Sequence, residues 1–310
     1  MDIAAIESAL GLWTGTEGGS ATLINVSENH TYRIDAPAGP AILRVHRPGY
    51  QSRDSILSEL AWVAALRDRL PVPRAIPGRN GELLQDLEPG RTAVLFAFEP
   101  GSEPPEDADL ASLFRILGRY AATAHDHVAD WTPPESFVRQ AWTIGAFLDP
   151  GGLWGDWRAA PGVEGDIRTA LEALDTRLRA RIESYGSGSG RFGLIHADMR
   201  LANVLVAPDR VTLIDFDDSG FCWFLYDLAA SLSFIETRPD LGRLIDAWLK
   251  GYTALRSLSA DDLEMIEPMI LLRRMALLAW IGSHGETALA QRHAPRFAAD
   301  TAMLARRFGI

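Results

Sequence analysis

The residues in this chain best suited to chemistry lie in Leu194-Ile195-His196-Ala197-Asp198-Met199-Arg200-Leu201-Ala202-Asn203. The spacing is His-x-Asp-x-x-x-x-Asn, in which a loop aspartate meets an incoming hydroxyl and an asparagine holds a metal ion. Twelve residues after Asn203 comes Asp215, within Leu213-Ile214-Asp215-Phe216-Asp217-Asp218, an acidic cluster at the end of an apolar strand. A hairpin between the two segments is expected to fold back and set Asp215 beside Asn203. An amide oxygen next to a carboxylate suits Mg²⁺ bridging nucleotide phosphates. Phosphoryl transfer needs little covalent help and much positioning and charge neutralisation. On that chemistry Asp198 orients and finally deprotonates the acceptor hydroxyl. Arg200 reaches the γ-phosphate and offsets its charge, while His196 hydrogen-bonds the loop as a scaffold. A lone His-x-Asp is commonplace. Two such segments in order, each behind an apolar strand, make the pattern specific.

The elements that must position these residues follow from patterning. A short amphipathic helix in residues 1–15 precedes strand-like runs at 21–26, 31–35 and 41–45, separated by turn residues, which read as antiparallel hairpins. A helix over 52–70 carries Ile56, Leu60, Val63 and Leu66 at helical spacing and stops at Pro71 and Pro73. Strands at 82–86 and 92–98 lead into a Pro/Gly/Glu-rich stretch, 99–109, read as a hinge. Helices are expected over 110–130, 163–185 and, with short breaks, 226–308. The Gly/Ser run at 186–190 is a flexible connector, since no βαβ context surrounds it.

Composition narrows the classes. Thirty basic against 41 acidic residues give a net charge of −11, which argues against nonspecific nucleic-acid or anionic-lipid binding. Lys250 is the only lysine. Cys222 is the only cysteine, which excludes an internal disulfide and a Cys-based zinc site. The start lacks the basic and apolar regions of a signal peptide, and Arg273 and Arg274 interrupt the apolar segment 269–281, so no membrane span is expected. A soluble cytoplasmic protein is the expectation; the oligomeric state is not legible.

The segment His196–Asn203 with Ile214–Asp218 resembles the aminoglycoside phosphotransferase/choline kinase superfamily. Ile214-Asp215-Phe216-Asp217-Asp218-Ser219-Gly220-Phe221 and Leu225-Tyr226-Asp227-Leu228-Ala229 are similar to its homoserine-kinase-like and stress-response-kinase-like branch. So are Glu28-Asn29-His30-Thr31-Tyr32-Arg33-Ile34 and Leu43-Arg44-Val45-His46-Arg47-Pro48-Gly49-Tyr50. The resemblance covers nearly the whole chain. It implies an α+β, protein-kinase-like two-lobed fold, with a small antiparallel β-rich N-terminal lobe carrying one main helix (1–98) and a larger, mostly helical C-terminal lobe (99–310). The first lobe would bind nucleotide and the second would hold catalytic and acceptor sites. The hinge would bind adenine through its backbone, with Ala97 and Phe98, where the last strand runs into it, as the cofactor-binding residues. By motif match Asp198 is the catalytic base, Asn203 and Asp215 are metal ligands, and Asp217 is a candidate further ligand. The activity implied is transfer of the γ-phosphate of ATP, with Mg²⁺, to a hydroxyl.

The sequence departs from the general kinase pattern in three places. Arg44 stands where a lysine contacts the α- and β-phosphates, with Glu59 in the next helix as partner; arginine keeps the charge and adds bidentate geometry. A strand-edge surface arginine is the bland alternative. No Gly-x-Gly-x-x-Gly loop exists, and the turn 25–29, with Ser27 and Asn29, sits where one belongs. No Ala-Pro-Glu follows Asp215 and a helix resumes near Tyr226, which leaves little room to dock a peptide. A small-molecule alcohol is therefore the expected acceptor: a homoserine-like amino alcohol, a choline-like amine, a sugar or an aminoglycoside. A serine/threonine protein kinase of the stress-response type and a nucleotide-binding pseudokinase stay open. Asp227 reads as a residue near a helix start, bonding backbone amides or the catalytic loop. His125 and His127 read as satisfied helix histidines. Trp223, Trp280, His284 and Glu286 lie where acceptor pockets are built, with core or surface roles as their default, and the Trp-rich loop 149–157 is a candidate cap.

Overall fold

A computed structural model describes residues 2–26, 29–87 and 90–310. In chain order its elements are α1 (Ile3–Ala9), β1 (Ser20–Val26), β2 (Asn29–Ala36), β3 (Gly39–His46), α2 (Arg53–Leu66), β4 (Ala75–Ile76), β5 (Leu84–Leu87) and β6 (Arg91–Ala97). Next come α3 (Ala111–Asp130), α4 (Ile144–Leu148), α5 (Gly165–Tyr185), β7 (Phe192–Ile195), β8 (Val204–Ala207), β9 (Arg210–Leu213) and β10 (Gly220–Trp223). The rest is helical: α6 (Tyr226–Ser231), α7 (Leu241–Tyr252), α8 (Ala260–Glu264), α9 (Ile266–Ser283) and α10 (Ala288–Phe308). These elements gather into two compact units. Residues up to Ser102, with Thr132–Arg139 and Leu205–Asp217, form the first; Glu103–Trp131, Gln140–Val204 and Asp218–Ile310 form the second.

In the first unit an antiparallel sheet runs in the order β1-β2-β3-β6-β4, with β5 also paired to β6. Side chains alternate between the two faces of each strand, and β3 uses this fully. Leu43 and Val45 are buried in a cluster with Ile6, Leu10, Trp13, Tyr32, Ile34 and Leu95. Arg44, between them, faces the other way. Its register partner Val94 belongs to a second cluster, with Ile56 and Leu60 of α2 and Leu84 of β5. The sheet thus has apolar cover on both faces, and the one charge on this stretch of β3 is delivered toward α2. That helix starts where Ser52 Oγ accepts the Ser55 N–H at 3.1 Å, with Asp54 in its first turn.

His46, at the end of β3, is buried, and among the described residues neither of its ring nitrogens has a hydrogen-bond partner. Burial first, and then the charge of Arg44, lower its pKa to about 2. An unfolded histidine takes up a proton below about pH 6.5, whereas the folded one stays neutral. Its contribution is therefore whole above that pH and declines as the pH falls, by about 2 kcal/mol between pH 8 and pH 5. His46→Leu is expected to flatten the profile by that amount, measured by urea unfolding at the two pH values.

In the second unit, α3 buries Leu113, Leu117, Ala121 and Ala124 on one face. It packs on α7 through two glycines. A methyl group at Gly118 would stand 2.0 Å from the Trp248 carbonyl oxygen, and one at Gly251 would stand 1.9 Å from that of Arg115. Backbone touches backbone there, and no larger residue fits. The short strands β7 and β10 pair antiparallel from Phe192↔Trp223 to Ile195↔Gly220, so the ladder ends where His196 begins. Helix α9 is buried on nearly every face, including Arg273 and Arg274. Among the described residues no helix is long and apolar enough to cross a membrane.

Candidate active site

In the second unit the chain leaves β7 through His196 and turns at Ala197, whose φ of 67° is left-handed. A non-glycine residue there costs roughly 1–2 kcal/mol and persists only where its surroundings hold it. Asp227, in the first turn of α6, does so. Its Oδ1 accepts the Ala197 N–H at 2.8 Å and its Oδ2 the His196 N–H at 3.3 Å. Oδ2 also lies 3.0 Å from His125 Nε2, and His125 Nδ1 lies 3.0 Å from the Tyr252 hydroxyl. Burial lowers the His125 pKa, with the Asp227 hydrogen bond working the other way. The imidazole is then neutral, its Nε2 donates to Asp227, and its Nδ1 accepts from Tyr252. His125 is the satisfied helix histidine its sequence context suggested, and Asp227 bonds the loop amides.

The turn projects Asp198, only 9% exposed. Arg273 Nη2 donates to its Oδ1. Its Oδ2 accepts from Arg200 Nε at 3.1 Å and from Asn203 Nδ2 at 2.7 Å. Burial works to raise the Asp198 pKa, but Arg200, Arg273 and His196 outweigh it and hold the carboxyl below its ordinary value. A carboxylate so stabilised is a weak proton acceptor and a strong hydrogen-bond acceptor. It suits orienting a hydroxyl whose proton leaves late. Asn203, in a single 3₁₀ turn, gives a second N–H to the Asp198 carbonyl at 2.8 Å. With its nitrogen committed, its Oδ1 is the atom suited to a cation.

The first unit brings together a second set. Arg44 Nη2 donates to both carboxylate oxygens of Glu59, at 2.7 and 2.8 Å, and its Nη1 lies 3.4 Å from Asp215 Oδ1. Arg44 is 6% exposed and Glu59 2%, so Arg44 is no surface strand-edge arginine. Burial opposes its charge, yet Glu59, Asp217 and Asp215 raise its pKa further. Asp215 takes a left-handed φ of 60°, and its side chain is 44% exposed. Asp217 points inward: Asn29 Nδ2 donates to Oδ2 at 2.9 Å and Gln51 Nε2 to Oδ1 at 3.0 Å. Burial, with the Glu59 charge, raises the Asp217 pKa against Arg44, Arg139 and Asn29. Phe216, between the two aspartates, meets the Trp62 ring edge-on at 5.6 Å.

The remaining expected residues fall as follows. Ser27 lies outside the described residues. Asn29 spans inward contacts, its Oδ1 accepting the Arg47 N–H at 3.4 Å. Ala97 ends β6 and donates its N–H to the Arg74 carbonyl at 2.8 Å, and the guanidinium of Arg33 stands 4.9 Å from the Phe98 ring centre. Trp223 donates to the Gly186 carbonyl at 2.8 Å, and Trp280 stacks on His284 at 5.1 Å. Sequence reasoning missed two arginines. Arg139 binds the backbone carbonyls of Phe216 and Asp217 on one side and Ser55 on the other, tying the acidic loop to the start of α2. Arg273 binds Asp198. The available signal for Arg273 was a pair of charges inside an otherwise apolar helix.

The sequence pattern of the phosphotransferase enzyme family matches residues 21–261. The solved structure of a microcompartment-associated aminopropanol kinase superposes with a TM-score of 0.91 at 39% identity, covering 99% of this chain and 97% of that one. Amicoumacin kinase of Bacillus subtilis is 24% identical, over 81% of this chain and 76% of its own. Homoserine kinase of Acidiphilium cryptum is 29% identical, over 77% and 72%. The fold is kinase-like, and the chain is a kinase. It belongs to the phosphotransferase enzyme family, as the resemblance of its two loop motifs implied.

Proposed function

We propose that the protein transfers the γ-phosphate of ATP, with Mg²⁺, to the hydroxyl of a small amino alcohol. In this reading residues 1–98 form a nucleotide-binding lobe and 99–310 a catalytic and acceptor lobe. The observation that carries the mechanism is the ionised Asp198, fixed through both carboxylate oxygens by Arg273, Arg200 and Asn203. It orients the acceptor oxygen and receives its proton as the bond to phosphorus forms. Arg200, a quarter exposed, offsets charge on the γ-phosphoryl oxygens. Arg44, locked by Glu59, contacts the α- and β-phosphates. Adenine is held by the backbone at 97–98.

By residue chemistry the proposed donors would suit a magnesium ion. Asn203 Oδ1 and the Asp215 carboxylate are hard oxygens, with Asp217 as a candidate further ligand. Among the described residues no group of three or more His, Cys, Asp or Glu side chains could hold a metal. Two protein oxygens suit an ion that takes its other ligands from phosphates and water. When bound, it would neutralise phosphate charge.

The likeness to an aminopropanol kinase, together with the homoserine kinase relatives, supports an amino alcohol as acceptor. The test is ADP release with Mg-ATP across aminopropanol, homoserine, choline, amicoumacin and simple sugars, against acceptor-free release. Stimulation by an amino alcohol is expected. No stimulation by any of them, with labelling of a lysate protein instead, overturns the acceptor assignment.

A further inference from the structure

The two adjacent arginines of α9 are both buried, and they do different things. Arg274 is neutralised within the helical core: Nη1 donates to Glu236 Oε2 at 2.7 Å, Nε to Thr301 Oγ1 at 2.9 Å and Nη2 to the Phe297 carbonyl at 3.1 Å. Arg273, 1% exposed, has its ion pair with Asp198 on the catalytic loop. Its guanidinium is anchored around its edge. Nε donates to Ser233 Oγ at 2.9 Å, and Nη1 lies 3.4 Å from both the Ala197 carbonyl oxygen and the Tyr226 hydroxyl. Its faces meet aromatic rings, Trp154 at 5.2 Å and Tyr226 at 5.7 Å. Trp154 and Tyr226 are continuous with Trp142 and Phe147 through ring contacts of 4.7 to 5.4 Å. An aromatic cluster beside the catalytic carboxylate therefore already holds a cation of its own.

Burying a guanidinium costs several kcal/mol, and well-packed apolar residues often serve stability as well or better. The position of this one shows what it does. Asp227 holds the amide side of the left-handed Ala197 turn, and Arg273 holds its carbonyl side. A carboxylate offers about four lone-pair sites over its two oxygens. Among the described residues, Oδ2 of Asp198 has two donors, Arg200 and Asn203, whereas Oδ1 has one, Arg273. The geometry points to Arg273 as a positioning residue. It fixes the rotamer of Asp198 so that the second lone pair of Oδ1 receives the acceptor hydroxyl, and the aromatic wall keeps the guanidinium from following a moving carboxylate. This rests on Asp198 being the catalytic carboxylate.

The test compares Arg273→Gln, Arg273→Lys, Asp198→Asn and the Asp198→Asn/Arg273→Gln double variant, using Mg-ATP and aminopropanol. Nucleotide affinity is followed separately by titration. Arg273→Gln is expected to lower kcat on the order of 10²-fold with nucleotide affinity unchanged. Arg273→Lys, which keeps the charge without the fork, should recover part of that loss. In the Asp198→Asn background, Arg273→Gln should cost nothing further, because it acts only through that carboxylate. Retained kcat in Arg273→Gln, a loss confined to nucleotide affinity, or an undiminished loss in the Asp198→Asn background overturns the assignment. If Arg273→Gln fails to fold, Arg273→Lys alone and combined with Asp198→Asn decides by the same criteria. An Asp198→Asn enzyme of full activity would instead sink the underlying reading, whatever the Arg273 variants do.

Discussion

Asp198→Ala is expected to cut phosphate transfer to a small residual, a loss on the order of 10²–10⁴-fold, while Mg-ATP binds as before. In the proposed mechanism the carboxylate serves the chemical step through the acceptor hydroxyl and makes no contact of its own with the nucleotide; Asn203 keeps its bond to the backbone carbonyl of residue 198 when the side chain is removed. The substitution has a second consequence. It leaves Arg273 buried without its counter-ion, and removing one partner of a buried pair destabilises by roughly 3–5 kcal/mol. Asn in place of Asp is smaller in volume change but no cleaner in charge. Its single oxygen can face Arg273, and its amide then opposes Arg200 and the Asn203 amide, three donors with no acceptor between them. Both variants should therefore melt earlier, and both should bind nucleotide normally well below that temperature. A coupled ADP assay beside a fluorescent-nucleotide titration separates the two quantities. Transfer at the wild-type rate by either variant would falsify the assigned role.

Asp215 is expected to give the opposite division. Asp215→Asn should weaken Mg-ATP binding by about tenfold or more, equivalent to at least about 1.4 kcal/mol, and depress turnover as well. The asparagine variant is the informative one. Asp215 sits at φ 60°, which asparagine tolerates and alanine resists, so Asp215→Ala mixes backbone strain with loss of the ligand. Arg44 keeps its two bonds to Glu59 in either variant, so its guanidinium stays in place. Wild-type affinity for Mg-ATP in Asp215→Asn would remove it from the metal site.

The sequence carried the parts of this architecture that depend on neighbours along the chain. Leu43-Arg44-Val45 gives an alternating strand with one charge on the face opposite the core, and β3 has that form. Ser52 followed by the periodic Ile56, Leu60 and Val63 marks the start of α2 closely. What was hidden depends on distance. Arg273 and Asp198 are 75 positions apart, and two charges in an apolar helix are equally read as a barrier to membrane insertion. Arg139 lies in an irregular stretch after α3, with no periodicity to suggest that it clamps the acidic loop. The four-residue ladder of β7 and β10 was concealed because each strand is short and contains a glycine. The aromatic loop containing Trp154 read as a cap, whereas that ring packs against the Arg273 guanidinium.

The Arg44–Glu59 pair has a practical consequence for chemical biology. Reagents that capture kinases covalently, such as nucleotide sulfonyl fluorides, acyl phosphates and aldehydes, attack the ε-amine of the phosphate-binding lysine. Here that position offers a guanidinium protonated at any accessible pH, and the chain's single amine-bearing side chain, Lys250, lies on α7 in the other unit. An amine-directed nucleotide probe is therefore expected to leave the Arg44 position unlabelled.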